Sequence, residues 1–438
     1  MARFRLTVEV RATPASSARY VRRPKAPSGT SAPGRWGALP AGWLGKIALV
    51  VAVLLALGTF NFLRPIPAVA AASSGPSQYK ITGTPPSLPW PTVGSGAVGV
   101  SDLGLIATSG DVPPTPAASV AKVMTALVLI ADKPLAKGAT GPILTITEQD
   151  VATYMADLGD GQSVVPVKAG EQLTEFEALE ALLIPSGNNI AETLARWDAG
   201  SVAAFVAKMN QRAAALHLTH TTFADPAGIS TQTVSTPTDL VAIGMAAMQQ
   251  EVLAQIVNMQ EATLPVAGKV YNVNYVLEQS GIIGIKTGSG LNSGANFLFA
   301  ASAAVDGGQV LLYGCVMGQP TLDAAFKAAF ALISKLKSGL KVRQVIAPNE
   351  VIGRYETAWG GHSDLLATTN VTLVVWPGMI LRQRLDAPTV RIDRPLPRGM
   401  PAGKFHMVLG DQQVDVPLVT AGPLDPPGTF WRLTRINF

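Results

Sequence analysis

At 438 residues the chain is long enough for two or three domains and a sizeable core. Its net charge of +5 is uneven, because residues 1–72 hold ten Lys/Arg and one acid, Glu9, while residues 73–438 hold 24 basic and 28 acidic residues, a net of −4. A basic arm on a mildly acidic body excludes a nucleic-acid reading of the pI, the single Cys315 excludes an internal disulfide, and four histidines without ligand spacing offer no metal site.

Residues 1–46 are basic and rich in Pro, Gly, Ser and Ala, which predicts a disordered tail. Residues 47–63 follow without a charge, bracketed by Lys46 and Arg64, just long enough to cross a bilayer. Nine Lys/Arg before that stretch place the tail in the cytoplasm, so a transmembrane signal-anchor is expected over 47–64 and everything beyond it is exported. Ala68-Val69-Ala70 is the kind of sequence a signal peptidase cuts, and cleavage after Ala70 would instead release the protein.

A Pro/Gly/Ser linker is expected over 65–88 and a globular domain over 89–340. Within it, 97–108 is strand-like, with a turn at Ser109-Gly110-Asp111, and a helix runs from Ser119 to about 131. Residues 143–146 make another strand, Thr147 begins a helix, and Gly159-Asp160-Gly161 marks a loop. A helix over 171–184 carries a capping box of Thr174 and Glu177. It stops at Pro185-Ser186-Gly187-Asn188-Asn189, and helices follow over 190–198, 202–216 and 240–248. A short strand at 281–285 runs into Lys286-Thr287-Gly288-Ser289-Gly290; strands at 297–304 and 309–316 and a helix at 322–336 complete the domain. Residues 341–438 read as a small antiparallel β domain, with strands at 342–346, 371–375, 389–392, 405–409 and 414–418.

Three polar clusters carry chemistry. In Ser119-Val-Ala-Lys122 the two side chains share a helix face, so the amine reaches the hydroxyl as a serine nucleophile requires when no histidine serves as base. Ser-x-x-Lys also occurs at Ser77, Ser334 and Ser338, and alone it reads equally well as a helix cap with a solvated lysine. Ser186-x-Asn188 and Lys286-Thr287-Gly288 each occur once; alone, they read as a helix-joining turn and an edge-strand charge.

In this order the clusters resemble the penicillin-recognising serine enzymes, and their flanks are similar to the D-alanyl-D-alanine carboxypeptidases, the low-molecular-mass penicillin-binding proteins. The flanks include Gly170-Glu-Gln-Leu-Thr174, Leu182-Leu-Ile-Pro185, Phe223-Ala-Asp-Pro-Ala-Gly-Ile229 and Ser235-Thr-Pro-Thr-Asp-Leu240. The resemblance implies an α/β (α+β) domain with a central antiparallel sheet flanked by helices, and a C-terminal all-β domain. It also implies Ser119 as nucleophile, Lys122 as its base and Ser186 as proton carrier to the leaving D-alanine. Asn188, Lys286, Thr287, Gly288 and Ser289 would bind substrate, Asn188 also holding Lys122 and the Ser119 and Ser289 N–H groups forming an oxyanion hole. The implied partners are peptidoglycan stem peptides ending in D-Ala-D-Ala and β-lactams; no cofactor is implied, and the place is the bacterial cell membrane.

Three positions depart from the family pattern. Ile283 stands where an acid is frequent, Gly290 where a threonine is, and Gln319-Pro-Thr-Leu322 lacks an arginine that helps hold the substrate carboxylate. Cleavage of cross-links, a D,D-endopeptidase activity, is therefore the alternative. A β-lactamase would need Glu-x-x-x-Asn after the second cluster, and Glu192, Glu251, Glu261 and Glu278 all lack that asparagine. A non-catalytic wall-binding protein would show eroded clusters, and none is eroded.

Overall fold

A five-stranded antiparallel sheet organises the catalytic half of the molecule. It belongs to a computed structural model that describes residues 41–435. The strand order is Ile282–Gly290, Gly294–Val305, Gly308–Gln319, Ser95–Val100, Gly104–Thr108. Strand side chains alternate between faces, and here both faces are buried. Leu298, Ala300, Tyr313 and Cys315 pack toward the Lys122–Asp132 and Pro237–Met248 helices, whereas Phe297, Phe299, Ala301 and Leu312 join Phe326, Leu332 and Leu336 of the Leu322–Gly339 helix. Such two-sided burial explains the long apolar runs of this region, and it makes Cys315 a fully buried hydrophobe whose thiol burial pushes up.

Local chemistry sets the helix starts. Thr147 and Asp150 form a capping box at Glu148–Gly159, and Thr174 and Glu177 form another at Glu175–Leu183. That second helix is shorter than expected because Gln172–Thr174 pairs as a strand with Ile143–Thr145. Pro237 occupies the first turn of its helix behind a Thr236 cap, where its missing N–H costs nothing. The 97–108 segment is a hairpin rather than one strand, turned at Asp102 and Gly104, both with positive φ. The helix Glu251–Val257 and the hairpin Glu261–Leu264/Gly268–Tyr271 are additions to the elements expected.

The C-terminal part has a seven-stranded sheet ordered Ala71–Ser73, Val351–Glu356, His362–Ala367, Gln412–Thr420, Pro401–Leu409, Ile380–Asp386, Gln78–Lys80. Both edge strands thus come from the stretch expected to be a linker. Three-residue edges are a recognised way to keep a sheet from pairing with another chain. The Lys341–Ile346 and Val371–Val375 strands pair separately. Residues 389–392 do not form the expected strand; only Val390 bridges, to Val69. Val69 is 5% exposed and Ile392 fully buried, so the apolar residues that read as a strand are there to fill the core rather than to pair along a sheet.

Residues 41–64 and 429–435 form a second unit. Its helix, Ala41–Leu63, begins six residues before the expected span, outside the 47–63 run. At 1.5 Å per residue its 23 residues reach roughly 34 Å, enough for a hydrocarbon core. An 18-residue window within Gly42–Leu63 reaches a mean hydropathy of 2.1. At its end Arg432 donates to the Phe62 carbonyl at 2.7 Å and its guanidinium lies 4.2 Å from the Phe62 ring, while Asn61 donates to the Leu433 carbonyl. Of the expected tail over residues 1–46, residues 41–46 are helical, as the first turns of this span, and the rest lies outside the described residues.

Candidate active site

Ser119 sits in a 3₁₀ turn, Ala118–Ala121, that continues into the Lys122–Asp132 helix. Ala118 has φ 48°, a strained value for a residue with a Cβ. Two contacts hold the strain: Asn296 donates to the Pro116 and Ala117 carbonyls at 3.0 and 3.1 Å, and Gly228 passes so close to the Ala118 carbonyl that no side chain would fit there. Asn296 is fixed in turn by accepting from the Gly318 N–H at 2.9 Å.

Lys122 is fully buried, and its Nζ lies 2.8 Å from Ser119 Oγ, 2.6 Å from Asn188 Oδ1 and 3.0 Å from the Ala227 carbonyl. Burial, reinforced by the Lys286 cation, holds this amine well below the usual lysine range, with Asp225 and Asp157 acting the other way. Three oxygens surround the amine, enough for the three N–H donors of an ammonium. When the amine is neutral, the Asn188 and Ala227 oxygens can still only accept, and Ser119 alone can give up a proton. In that form the lone pair is left for the nucleophile.

The second cluster is held as firmly. Asn188 opens the Asn188–Ala199 helix and its Nδ2 donates to Gln162 Oε1 at 2.8 Å, while Asn189 clamps both backbone groups of Val165. The helix itself is tied to the Glu148–Gly159 helix by Thr193 and Arg196, which donate to Asp150 at 2.9 and 2.8 Å. Ser186 stands before it with φ 68°, 4% exposed, and its Oγ has no hydrogen-bond partner among the described residues. An orphaned hydroxyl costs roughly 1–3 kcal/mol. Its Oγ thus keeps both a donor and an acceptor free, two residues before Asn188 of the cleft lining.

Lys286, Thr287 and Gly288 lie inside the Ile282–Gly290 strand, at the open edge of the sheet and in register with Leu298, Phe297 and Asn296. Sequence reading had this strand end before the cluster; it runs on through Gly290. Gly288 permits the strand to cross the Ser119 turn, since a Cβ there would stand 3.0 Å from the Ser119 and Val120 nitrogens. Burial pushes Lys286 down to about 7, and its Nζ donates to the Thr287 carbonyl.

A 340 Å³ cleft opens over these groups. Its polar lining includes Ser119, Gln162, Asn188, Thr231, Ser289 and Asn292; Pro116, Ile229 and Leu291 supply apolar lips. None of the described residues lining it is Lys, Arg or His. Of the residues the sequence places in the site, Ser119, Lys122 and Asn188 are bonded together, Gly288 abuts the Ser119 turn, Ser289 lines the same cleft and Lys286 lies near enough to act on Lys122; Ser186 joins them through its place two residues before Asn188, and Thr287 through its strand. Sequence reading missed Gln162 and Asn296, which bear no motif. It also missed the role of Asp225, whose carboxylate accepts from the Ala227, Ile229 and Ser230 N–H groups and from Thr233 Oγ1, and so fixes the loop that offers Lys122 a carbonyl.

The family model described as D-alanyl-D-alanine carboxypeptidase matches residues 105–321. The chain is 36% identical over 194 residues to the D-alanyl-D-alanine carboxypeptidase DacB2 of Mycobacterium tuberculosis, a match covering 41% of this chain and 66% of that protein, just under two thirds of its length. It is 30% identical to the D-alanyl-D-alanine carboxypeptidase of Streptomyces sp. strain K15, covering 47% of this chain and 73% of that one. In fold it resembles penicillin-binding protein 5 from Haemophilus influenzae, with TM-score 0.56 and 19% identity over 78% of this chain and all of that one.

Proposed function

We propose that this chain, which belongs to the D-alanyl-D-alanine carboxypeptidase family, removes the terminal D-alanine from peptidoglycan stem peptides through an acyl-enzyme on Ser119. The observation that carries the reading is the buried Lys122 amine, 2.8 Å from Ser119 Oγ and bonded otherwise only to acceptors. Ser119 Oγ attacks the carbonyl of the D-Ala-D-Ala bond while Lys122 takes its proton. The backbone N–H groups of Ser119 and Ser289 receive the developing oxyanion, each worth about 3 kcal/mol in the transition state. Ser186 Oγ passes a proton to the leaving amine, the D-alanine departs, and water then frees the acyl group. The extended peptide adds as a strand to the open edge at Lys286–Ser289, with the Asn188 amide on its other side. β-Lactams acylate Ser119 by the same attack.

Labelling with a fluorescent penicillin tests this reading. Wild type is expected to label and Ser119→Ala to stay dark; equal labelling of both would refute it. Mass spectrometry of a peptide ending in Lys-D-Ala-D-Ala should show loss of one alanine.

One observation favours a second reading, endopeptidase action on cross-links. A terminal carboxylate taken from water calls for a cation or several N–H donors, and the described cleft lining holds no cation. Comparing turnover of a D-Ala-D-Ala free acid with that of a cross-linked dimer separates the two.

The Ala41–Leu63 helix serves as a single membrane span with the N-terminus in the cytoplasm and the catalytic domain outside. Retention of this anchor is supported by the position of the cut site. Val69 is buried and exchanges both backbone hydrogen bonds with Val390, at 2.8 and 2.9 Å, and Ala71–Ser73 is paired with Val351–Glu356, so although Ala68 and Ala70 are exposed, cutting after Ala70 would require these backbone pairs to open first. N-terminal sequencing of the membrane-extracted protein should give a start upstream of the Ala41–Leu63 helix; a chain starting at Ala71 would contradict it.

A further inference from the structure

A second cleft, of 320 Å³, lies between the Glu261–Leu264/Gly268–Tyr271 hairpin and the segment leading to the catalytic edge strand, and no step of the proposed reaction uses it. It is lined by Gln260, Glu261, Tyr271, Asn272, Asn274, Tyr275 and Leu277. Asn274 is 2% exposed, yet neither its amide nitrogen nor its amide oxygen has a hydrogen-bond partner among the described residues. Its neighbour Asn272 is fully engaged, donating to the Met259 carbonyl and accepting from the Asn274 N–H. A buried primary amide left with both a donor and an acceptor is suited to a group that offers the reverse pair, which a secondary amide does.

The rest of the lining narrows the ligand further. Tyr271 and Tyr275 are 64% and 59% exposed, unusual for large rings away from the catalytic site. Tyr275 is a fixed platform: its hydroxyl donates to Asp323 Oδ1 and its edge packs on Phe326 at 4.9 Å. Glu261 holds Lys269 at 2.7 Å, so the only acid in the lining is already paired. Flat exposed rings beside uncharged hydrogen-bonding groups suit a ligand with one apolar face and a rim of hydroxyl and acetamido groups. Val273, between the two asparagines, donates its N–H to the Ile184 carbonyl, two residues before Ser186, so the cleft abuts the segment that carries the second catalytic cluster.

We propose that this cleft binds an N-acetylated sugar of a β-linked glycan, resting on the reading that the catalytic site acts on peptides carried by such strands. A glycan held there anchors the polymer next to the cleft in which its stem peptides are cut.

Titration of the detergent-solubilised full chain with the β-1,4-linked N-acetylglucosamine trimer, followed by NMR or calorimetry, tests it. Saturable binding is expected; Tyr275→Ala should weaken it about tenfold, and Asn274→Asp should weaken it as well. Tyr275→Phe keeps the ring and should keep the affinity. All three variants should label with fluorescent penicillin as wild type does, which verifies that they fold. Tyr275→Ala should cut a soluble pentapeptide normally but intact peptidoglycan more slowly. No saturable binding of the trimer, affinity unmoved by Tyr275→Ala, or displacement of the trimer by a short uncharged peptide would overturn the proposal. A wild type that fails to label with penicillin would instead sink the catalytic reading and leave sugar binding to be judged by the titration.

Discussion

The catalytic cleft and the C-terminal sheet are built from the same kinds of strand, yet they treat polar groups in opposite ways. Around Ser119 the polar atoms are buried: Lys122 has three partners, Asn188 is pinned on both ends, and Ser186 Oγ is left unbonded among the described residues. In the C-terminal sheet the charges lie at the surface, as Lys404 with Asp415 and Arg354 with Asp364, while Tyr355, Leu365, Phe405 and Val416 fill the interior. Buried polar groups cost free energy unless each finds its match, so a cluster of them marks a site that chemistry maintains. Surface pairs in water are exchangeable and mark nothing. The difference predicts where substitution will be felt.

Ser119→Ala should abolish penicillin labelling, and Lys122→Met should slow acylation by about 10²–10⁴-fold, the usual worth of a general base. Stopped-flow or gel-based acylation rates would check this; a Lys122→Met protein that acylates at the wild-type rate would erase the contrast. Gly288→Ala comes next. Its Cβ presses on the Ser119 and Val120 nitrogens at 3.0 Å, and the shifted nucleophile should lose up to about a hundredfold in acylation. Thermal melting should show little change for that variant, because the core is untouched.

Thr174→Ala removes the capping box of the Glu175–Leu183 helix, which leads into Ser186, and should cost about 1 kcal/mol of stability with acylation nearly intact. Denaturant melts would measure it. At the far end of the scale, Lys404→Ala in the C-terminal sheet should leave both labelling and the melting curve where they were. A large loss there would mean that the surface pair carries more than its exposure suggests.

The same contrast decides what could be read from the chain. Ser119, Lys122, Ser186, Asn188 and Lys286–Ser289 were legible because the chemistry demands particular residue types at particular spacings. The Thr174/Glu177 cap and the 297–304 and 309–316 strands were legible because local geometry demands them. Gln162 and Asn296 were not, since each acts through one long-range hydrogen bond or a pair of them and has no sequence neighbour to announce it. Edge strands Ala71–Ser73 and Gln78–Lys80 are too short for an alternating pattern and sit among Pro and Gly, so they read as linker. Their strand state is imposed by the partners Val351–Glu356 and Ile380–Asp386, hundreds of residues away.

The central claim is that Lys122 is a neutral amine aimed at Ser119, and the pH dependence of acylation tests it most directly. Protonation removes the lone pair, so acylation should fall as pH drops through the Lys122 pKa, which lies well below 10.5. Lys286 is the nearby cation that helps hold it down, so Lys286→Gln should move that acid limb upward. The wild-type limb is expected far below the ordinary lysine range, and at higher pH in Lys286→Gln. A limb near 10.5, or one that stays in place when Lys286 is neutralised, would contradict it.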